Sequence, residues 1–442
     1  MTLTNWAGNV TFTPAAFHRP TTVAQVQEVV SGARQVRVLG SGHSFSPIAA
    51  TEGDLISLAQ LQGAPELDSS AGLVRVPGGM RYGELAAWLQ ARGFALANMA
   101  SLPHIGVVGG CATGTHGSGV GNGSLSSVVQ ALELVVADGT VVSVERGVED
   151  DLLRAAVVGL GLFGVVTSIT LAVRPTFLVA QHVYQAMPLD QALEHLMDVL
   201  GAAYSVSLFT NWGTTAGSEP VFGQVWVKRT VSQDGTQPQG EGTVAAADPV
   251  WLGAKLATGP CHPVPGFSGA VCTEQLGVWG PWNERLPHFR MEFTPSAGEE
   301  LQTEYLVPMS SGVDALRAIA ALSELIAPLL QISEIRTIAA DDLWLSPSGE
   351  RTSMAIHFTW NPDADAVAAV LLRIEAALEP YCARPHWGKV FTMGPGRLHQ
   401  VYPRLGDALA LAVSRDPGGV FRSDWTEKTL GTCSGALSAT GR

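Results

Sequence analysis

The sequence predicts an α+β protein built in two styles. Its 442 residues exceed what one hydrophobic core usually organises. The first third alternates short helical and short strand patterns. Beyond about Thr176 the strands lengthen, alternate apolar with polar residues, and are interleaved with amphipathic helices. With 46% hydrophobic and 15% charged residues, the chain has enough apolar surface to offset the entropy of ordering it.

In chain order, the amphipathic VAQVQEVV reads as a helix, QVRVLG, LISL and GLVRVPG as strands, and YGELAAWLQARG as a second helix. In VVQALELVVADGTVVSV, Asp138-Gly139 sits between two apolar runs, so a hairpin is expected with both turn residues at positive φ. LGLFGVVTSITLAVRP reads as a buried strand ended by Pro175. YSVSLF, VFGQVWVK and HFRMEF then read as strands and VDALRAIAALSELIAPLL as a helix, which together give an antiparallel sheet layered with helices. The segment from Val231 to Gly259 has no period and is expected to be a long surface loop. The division expected is residues 1–175, a cap over 176–400, and a segment 401–442 returning to the first part and fraying beyond Thr429.

The formal charge of −13, without a Lys/Arg cluster, argues against a nucleic-acid partner. No apolar run is long enough to span a bilayer, and MTLTNWAGNV has neither a basic start nor an apolar core, so a cytoplasmic protein without membrane contact is expected. A monomer is expected too. Cysteines 111, 261, 272, 382 and 433 form no C-x-x-C pair, and the eleven histidines show no H-E-x-x-H spacing; neither a disulfide framework nor a metal site is read from them. No G-x-S-x-G elbow marks a hydrolase.

Two glycine-rich loops carry the binding signal. Gly40-Ser41-Gly42-His43-Ser44-Phe45 follows the strand QVRVLG, and its amides are free to face an anion such as a pyrophosphate. Phe45 stands where a G-x-G-x-x-G fingerprint needs its third glycine, which disfavours a Rossmann site; on residues alone a tight structural turn fits equally. The second loop runs from Ser101 to Gly119 without a period. Its glycines and hydroxyls suit close approach to an extended dinucleotide.

Further on, strand alternation in QISEIRTIAA puts Glu334 and Arg336 on one face, where the carboxylate can orient the guanidinium. In SMAIHFTW, Met354, Ile356, Phe358 and Trp360 form one side, leaving His357 and Thr359 on the other. Lys389, in PHWGKVFT, follows a glycine that lets neighbours come close. Taken singly, each has a bland reading: an ordinary ion pair, a core histidine, a surface lysine.

GSGHSF, a G-G-M segment at Gly78, NMASLPHIGVVGGCATGTHGSGVGNGSL and LGLFGVVT, in this order, resemble the vanillyl-alcohol-oxidase superfamily of flavoproteins, and within it the alditol (xylitol) oxidases. The resemblance runs from NWAGN to HWGK and DPGGVFRSDW. Gly106 stands where relatives often have Ser, and the loop from Val231 is longer than usual. The resemblance implies a two-subdomain FAD-binding domain with an α/β substrate-binding cap. It implies FAD bonded covalently to His43, with contacts from Leu39, Gly40, Ser41, Gly42, Ser44, Ser101, Gly106, Gly109, Thr113, Gly114, Thr115, His116, Gly164, Val166 and His386. It further implies that Glu334, Arg336, His357 and Lys389 are catalytic, and that Ser101, Glu334, Arg336 and Thr359 hold a polyol substrate. O2 would be the acceptor and hydrogen peroxide the product, with the small Ala100 leaving room for oxygen. His357 is the first choice for proton acceptor, because an unperturbed imidazole titrates near the working pH, and Lys389 is the second. An aldonolactone oxidoreductase and a carbohydrate-binding protein that has lost flavin are the competing readings.

Overall fold

A computed structural model describes residues 3–213, 220–232, 247–293 and 300–431. Residues 233–246, inside the segment expected to be a loop from Val231 to Gly259, lie outside the described residues, as do Cys433 and the tail beyond 431. The rest of that segment is less irregular than expected, because a strand reaches Ser232 and Val250–Trp251 and Ala254–Leu256 form two more. Near the start, Ala16–His18, Asp54–Ile56 and Val36–Val38 form a three-stranded parallel sheet. The helix Val23–Gly32 makes the crossover, and its N-terminus is closed by a Thr22/Gln25 capping box. The loop 39–46 leaves the C-terminal end of Val36–Val38, the end of a parallel strand at which ligands usually bind.

A second, antiparallel sheet has five strands, with Val129–Val135, Val165–Ala172 and Leu73–Pro77 at its centre. The C-terminal segment reaches the parallel sheet: Val36 N–H donates to Val420 O at 2.6 Å, and buried Phe421 packs with Val26, Val36 and Ile56. Buried Arg37 ties these parts together by donating to the carbonyls of Ile48, Leu160, Gly161 and Phe421. Four acceptors satisfy a guanidinium that, among the described residues, pairs with no carboxylate, and burial lowers its pKa to about 10.

The third sheet has ten strands. Its core runs Val221–Ser232, Ser205–Thr210, Leu330–Ile338, Ser353–Trp360 and Leu301–Pro308, all antiparallel neighbours. Helices Gly312–Ala320 and Ala364–Leu378 cover the face that carries Met354, Ile356, Phe358 and Trp360. The other face carries Glu304, Glu334, His357 and Thr359. Every residue of Ser353–Trp360 is buried, so both faces are covered.

Four local expectations are corrected. HFRMEF forms no strand; Phe289 makes one isolated bridge to Cys272, and residues 294–299 beyond it lie outside the described residues. The helix expected from VDALRAIAALSELIAPLL breaks after Ala320 and resumes as Ser323–Ile326. At the hairpin only Gly139 has positive φ, +83°; the Asp138 carboxylate accepts from Thr140 N–H and Oγ1–H, which stabilises a three-residue turn. The strand before Pro175 ends at Ala172, and Pro175 pairs with Phe94 in a separate two-stranded ladder. Among the described residues no helix is long and apolar enough to cross a membrane.

Candidate active site

A cavity of about 400 Å³ runs from the loop 39–46 to the polar face of the large sheet. Leu39, Gly40, Ser41, Gly42, His43 and Ser44 line one end with Gly106, Gly109, Thr113, Thr115, Gly164 and Val166; His116, His386, Ser101, Glu334, Arg336, His357, Thr359 and Lys389 line the other. Of the residues expected to touch a cofactor, Gly114 alone does not line it. Its φ is +70° and an added Cβ would lie 2.8 Å from Pro347, so it serves the turn. The second loop is also less irregular than expected, because Val107–Ala112 forms a short helix.

The first end fits an extended dinucleotide. An added Cβ at Gly40 or Gly109 would meet nothing within 4 Å, so each backbone faces open space in the cavity. Gly164 is needed for its fold: φ is +141° and a Cβ would lie 2.7 Å from Val135 O. Ser41 Oγ accepts from Gly106 N–H at 3.1 Å and joins the two loops. Phe45 N–H donates to Gly388 O and Ser46 Oγ–H to Trp387 O, both at 2.7 Å, so the His43 loop is bound to the Lys389 segment. His43 stacks on Trp6 with ring centroids 5.4 Å apart. Burial, with His104 and Arg81 nearby, pushes its pKa down to about 4, although the Ser41 carbonyl opposes this. The imidazole is therefore neutral and keeps a lone pair.

Sheet register assembles the other end. Glu334 and Glu304 both pair with His357, one from each side, so the three side chains form a row on one face. Two residues away, Ile332 and Gln302 flank Thr359 in the same way. His386 N–H donates to Glu304 O at 3.0 Å and brings in the segment that carries Lys389. Ser101 arrives from the second glycine-rich loop, with its Oγ 3.4 Å from Arg336 Nη1.

Glu304 organises this cluster, and the sequence reading missed it. It is 1% exposed. Its Oε1 lies 2.8 Å from Arg336 Nη2 and 3.2 Å from His116 Nε2, and its Oε2 lies 2.9 Å from Lys389 Nζ. Burial alone would raise its carboxyl, but Lys389, His116 and Arg336 hold it well below the ordinary range. Glu334, expected to be the orienting carboxylate, is the looser partner, with Oε2 3.6 Å from Arg336 Nε. Its Oε1 lies 2.8 Å from His288 Nε2, a second contact that was not foreseen. Burial lowers Lys389 while Glu304 opposes the fall; burial also opposes the charge on Arg336, yet Glu334 and Glu304 raise its pKa. Two carboxylates and two cations thus balance at the wall of the cavity.

His116, Glu304 and His386 each place one potential ligand atom within 4.8 Å of the others. Both Glu304 oxygens also face a cation, Arg336 on one side and Lys389 on the other. The premise that made His357 the first base is corrected. Burial, then Lys389 and Arg336, hold its pKa well below the ordinary value, so it is neutral and does not titrate near pH 7.

Burial also pushes His288 to about 4 and His386 to about 3. Histidines with depressed folded pKa values bind fewer protons than the unfolded chain below about pH 6.5, so stability falls as pH drops through that range. A melting temperature that declines from pH 7 to pH 5, above the carboxylate range, is the expected result of a calorimetric scan.

The cavity and the sheet that closes it define an FAD-dependent oxidoreductase of the vanillyl-alcohol-oxidase type. The family model for the FAD binding domain matches residues 14–145, and one described as D-arabinono-1,4-lactone oxidase matches 297–429. A cholesterol oxidase from B. sterolicum has a similar fold, with TM-score 0.74, 15% identity and coverage of 97% of this chain and 96% of that one. An alditol oxidase from a Streptomyces species (strain IKD472) is 47% identical over 97% of this chain and 99% of its own, and the chain belongs to the alditol oxidase family. An L-gulono-1,4-lactone dehydrogenase of Mycobacterium tuberculosis is 29% identical over 97% of this chain and 98% of its own. A mouse L-gulonolactone oxidase is 26% identical over 96% and 97%.

Proposed function

We propose that the protein oxidises the primary alcohol of an alditol such as xylitol or sorbitol to the aldose, using FAD attached covalently to His43 and reducing O2 to hydrogen peroxide. The observation that carries this reading is the buried cluster of Glu304, Glu334, Arg336 and Lys389 facing a cavity that continues to His43. When bound, the flavin supplies a two-electron acceptor for the hydride. All other steps fall to the chain.

Ser101, Glu334, Arg336 and Thr359 hold successive hydroxyls of the substrate. Arg336 and Lys389 stabilise the alkoxide that develops as the hydroxyl proton leaves. That proton goes to His357. Its Nε2 lies 3.2 Å from Gln302 Oε1, which favours a proton on Nε2 and a lone pair on Nδ1. Nδ1 is buried and has no partner within the described protein. Because His357 stays neutral far below pH 7, kcat/KM is not expected to fall from pH 7 down to pH 6; a fall centred near 6.5 would give the base role to a different group.

Hydrogen-bonding groups in the pocket penalise substrates that leave them unpaired, by about 1–3 kcal/mol each. Peroxide release with xylitol should therefore exceed that with 1-butanol by at least about tenfold at equal concentration. Comparable rates, or faster turnover of a gulono- or galactonolactone, would overturn the assignment. His43→Ala should yield a protein whose yellow pigment stays in the supernatant after acid precipitation, whereas the wild-type pellet stays yellow. Among the described residues Cys111, Cys261, Cys272 and Cys382 form no disulfide with one another; a cytoplasmic monomer is part of the same proposal.

A further inference from the structure

We propose that Lys228 and His288 form a buried relay behind the substrate site that sets the hydrogen-bonding state of Glu334, making them positioning residues for polyol binding. The inference rests on the reading of Glu334 as a substrate-binding carboxylate.

Lys228 lies on Val221–Ser232 and is 1% exposed. Its cross-strand neighbours Gln181 and Ser205 are uncharged. The ammonium donates to Leu286 O, to Pro287 O at 3.2 Å and to His288 Nδ1 at 3.2 Å, three acceptors for three protons. This arrangement makes Nδ1 of His288 an acceptor and places the ring proton on Nε2, 2.8 Å from Glu334 Oε1. Phe209 and Trp226 clamp the imidazole edge-on, with centroids 5.8 and 5.0 Å away, and its backbone N–H donates to Ser101 O at 3.1 Å. The two aromatic rings hold the imidazole in place, and the backbone bond ties His288 to Ser101, itself beside Arg336.

With Oε1 held by His288, Glu334 turns Oε2 toward Arg336 and the cavity. Loss of one proton from Lys228 reverses the relay. The amine can then accept from Nδ1–H, the imidazole moves its proton to that nitrogen, and the Nε2 lone pair faces a carboxylate. Glu334 loses its anchor and a substrate hydroxyl loses a positioned acceptor. The groups acting on Lys228 set where this happens. Burial brings the lysine down to about 7, while Glu334 opposes the fall, and His288 itself stays neutral. The Cys272 thiol, raised to about 12 mainly by burial, carries no charge in this range. Lys228 is thus protonated below about pH 7 and loses its proton above it, so polyol affinity should weaken as pH rises.

Steady-state kcat and KM for xylitol, measured between pH 6 and pH 9 on holoenzyme, test this. The wild type should show KM rising about tenfold on the alkaline side, as expected when a hydrogen bond to a charged group is lost, with kcat changing less. Lys228→Met, which removes the titrating group, should abolish the rise of KM with pH. His288→Leu should raise KM about tenfold with kcat within about threefold, and His288→Gln, which can accept from Lys228 and donate to Glu334, should restore most of the affinity. Flavin content and melting temperature identify a variant that has not folded, and in that case the wild-type KM profile decides. A wild type that oxidises xylitol with a pH-independent KM overturns the relay alone, as do variants with unchanged KM profiles. A wild type that oxidises no polyol overturns the underlying reading, and the relay with it.

Discussion

Replacing Lys389 by methionine is expected to lower kcat and kcat/KM together by about 10²–10³, the usual loss when one pre-organised donor to a developing oxyanion is removed. The effect belongs to the transition state because the hydroxyl becomes an alkoxide only as the hydride departs. A ground-state polyol is neutral and gains little from the ammonium. Lys389 Nζ also satisfies Glu304 Oε2, so the variant leaves two carboxylates facing Arg336 alone. Stopped-flow measurement of the reductive half-reaction reads the loss directly. A variant with wild-type kcat and a raised KM would mean that Lys389 only binds substrate.

Replacing Glu304 by glutamine should cost both stability and activity. It removes the one carboxylate shared by Arg336 and Lys389, and breaking a buried pair from one side costs about 3–5 kcal/mol. Lys389, already lowered by burial and now without the carboxylate that most opposed this, should hold its proton less firmly. Its help to the alkoxide goes with it. Activity should therefore recover partly as pH is lowered, since acid restores the ammonium. The double variant Glu304→Gln with Lys389→Met rebalances the charge, so it should recover most of the lost stability and none of the activity. Additive losses in denaturant unfolding would argue against a shared cluster.

Much of this was legible in the sequence, and the parts that were not share a cause. The glycine-rich loops and the strands QISEIRTIAA and SMAIHFTW could be read because their signal is local: glycine content in one case, a period of two in the other. Glu304 was hidden because LQTEYLVP places Gln302, Thr303 and Glu304 side by side, and its importance appears only once the register sets it against His357. His288 was hidden because HFRMEF alternates like a strand, yet Ser101 and Glu334, far away in sequence, fix its place in a loop. Lys228, closing VFGQVWVK, looks like a strand-end lysine with its head in water, and only the fold shows the head enclosed. His357 was found, but for a reason that fails. Its ordinary pKa says nothing about a site whose burial and nearby cations keep it neutral.

The central claim is that polyol electrons pass to a flavin bound next to the Glu304 cluster. Anaerobic addition of xylitol to purified yellow protein tests it most directly. The flavin's blue absorbance should bleach and return on admitting air, with one hydrogen peroxide formed per alditol oxidised. An unchanged spectrum with xylitol and sorbitol, from protein that carries its flavin, would contradict it.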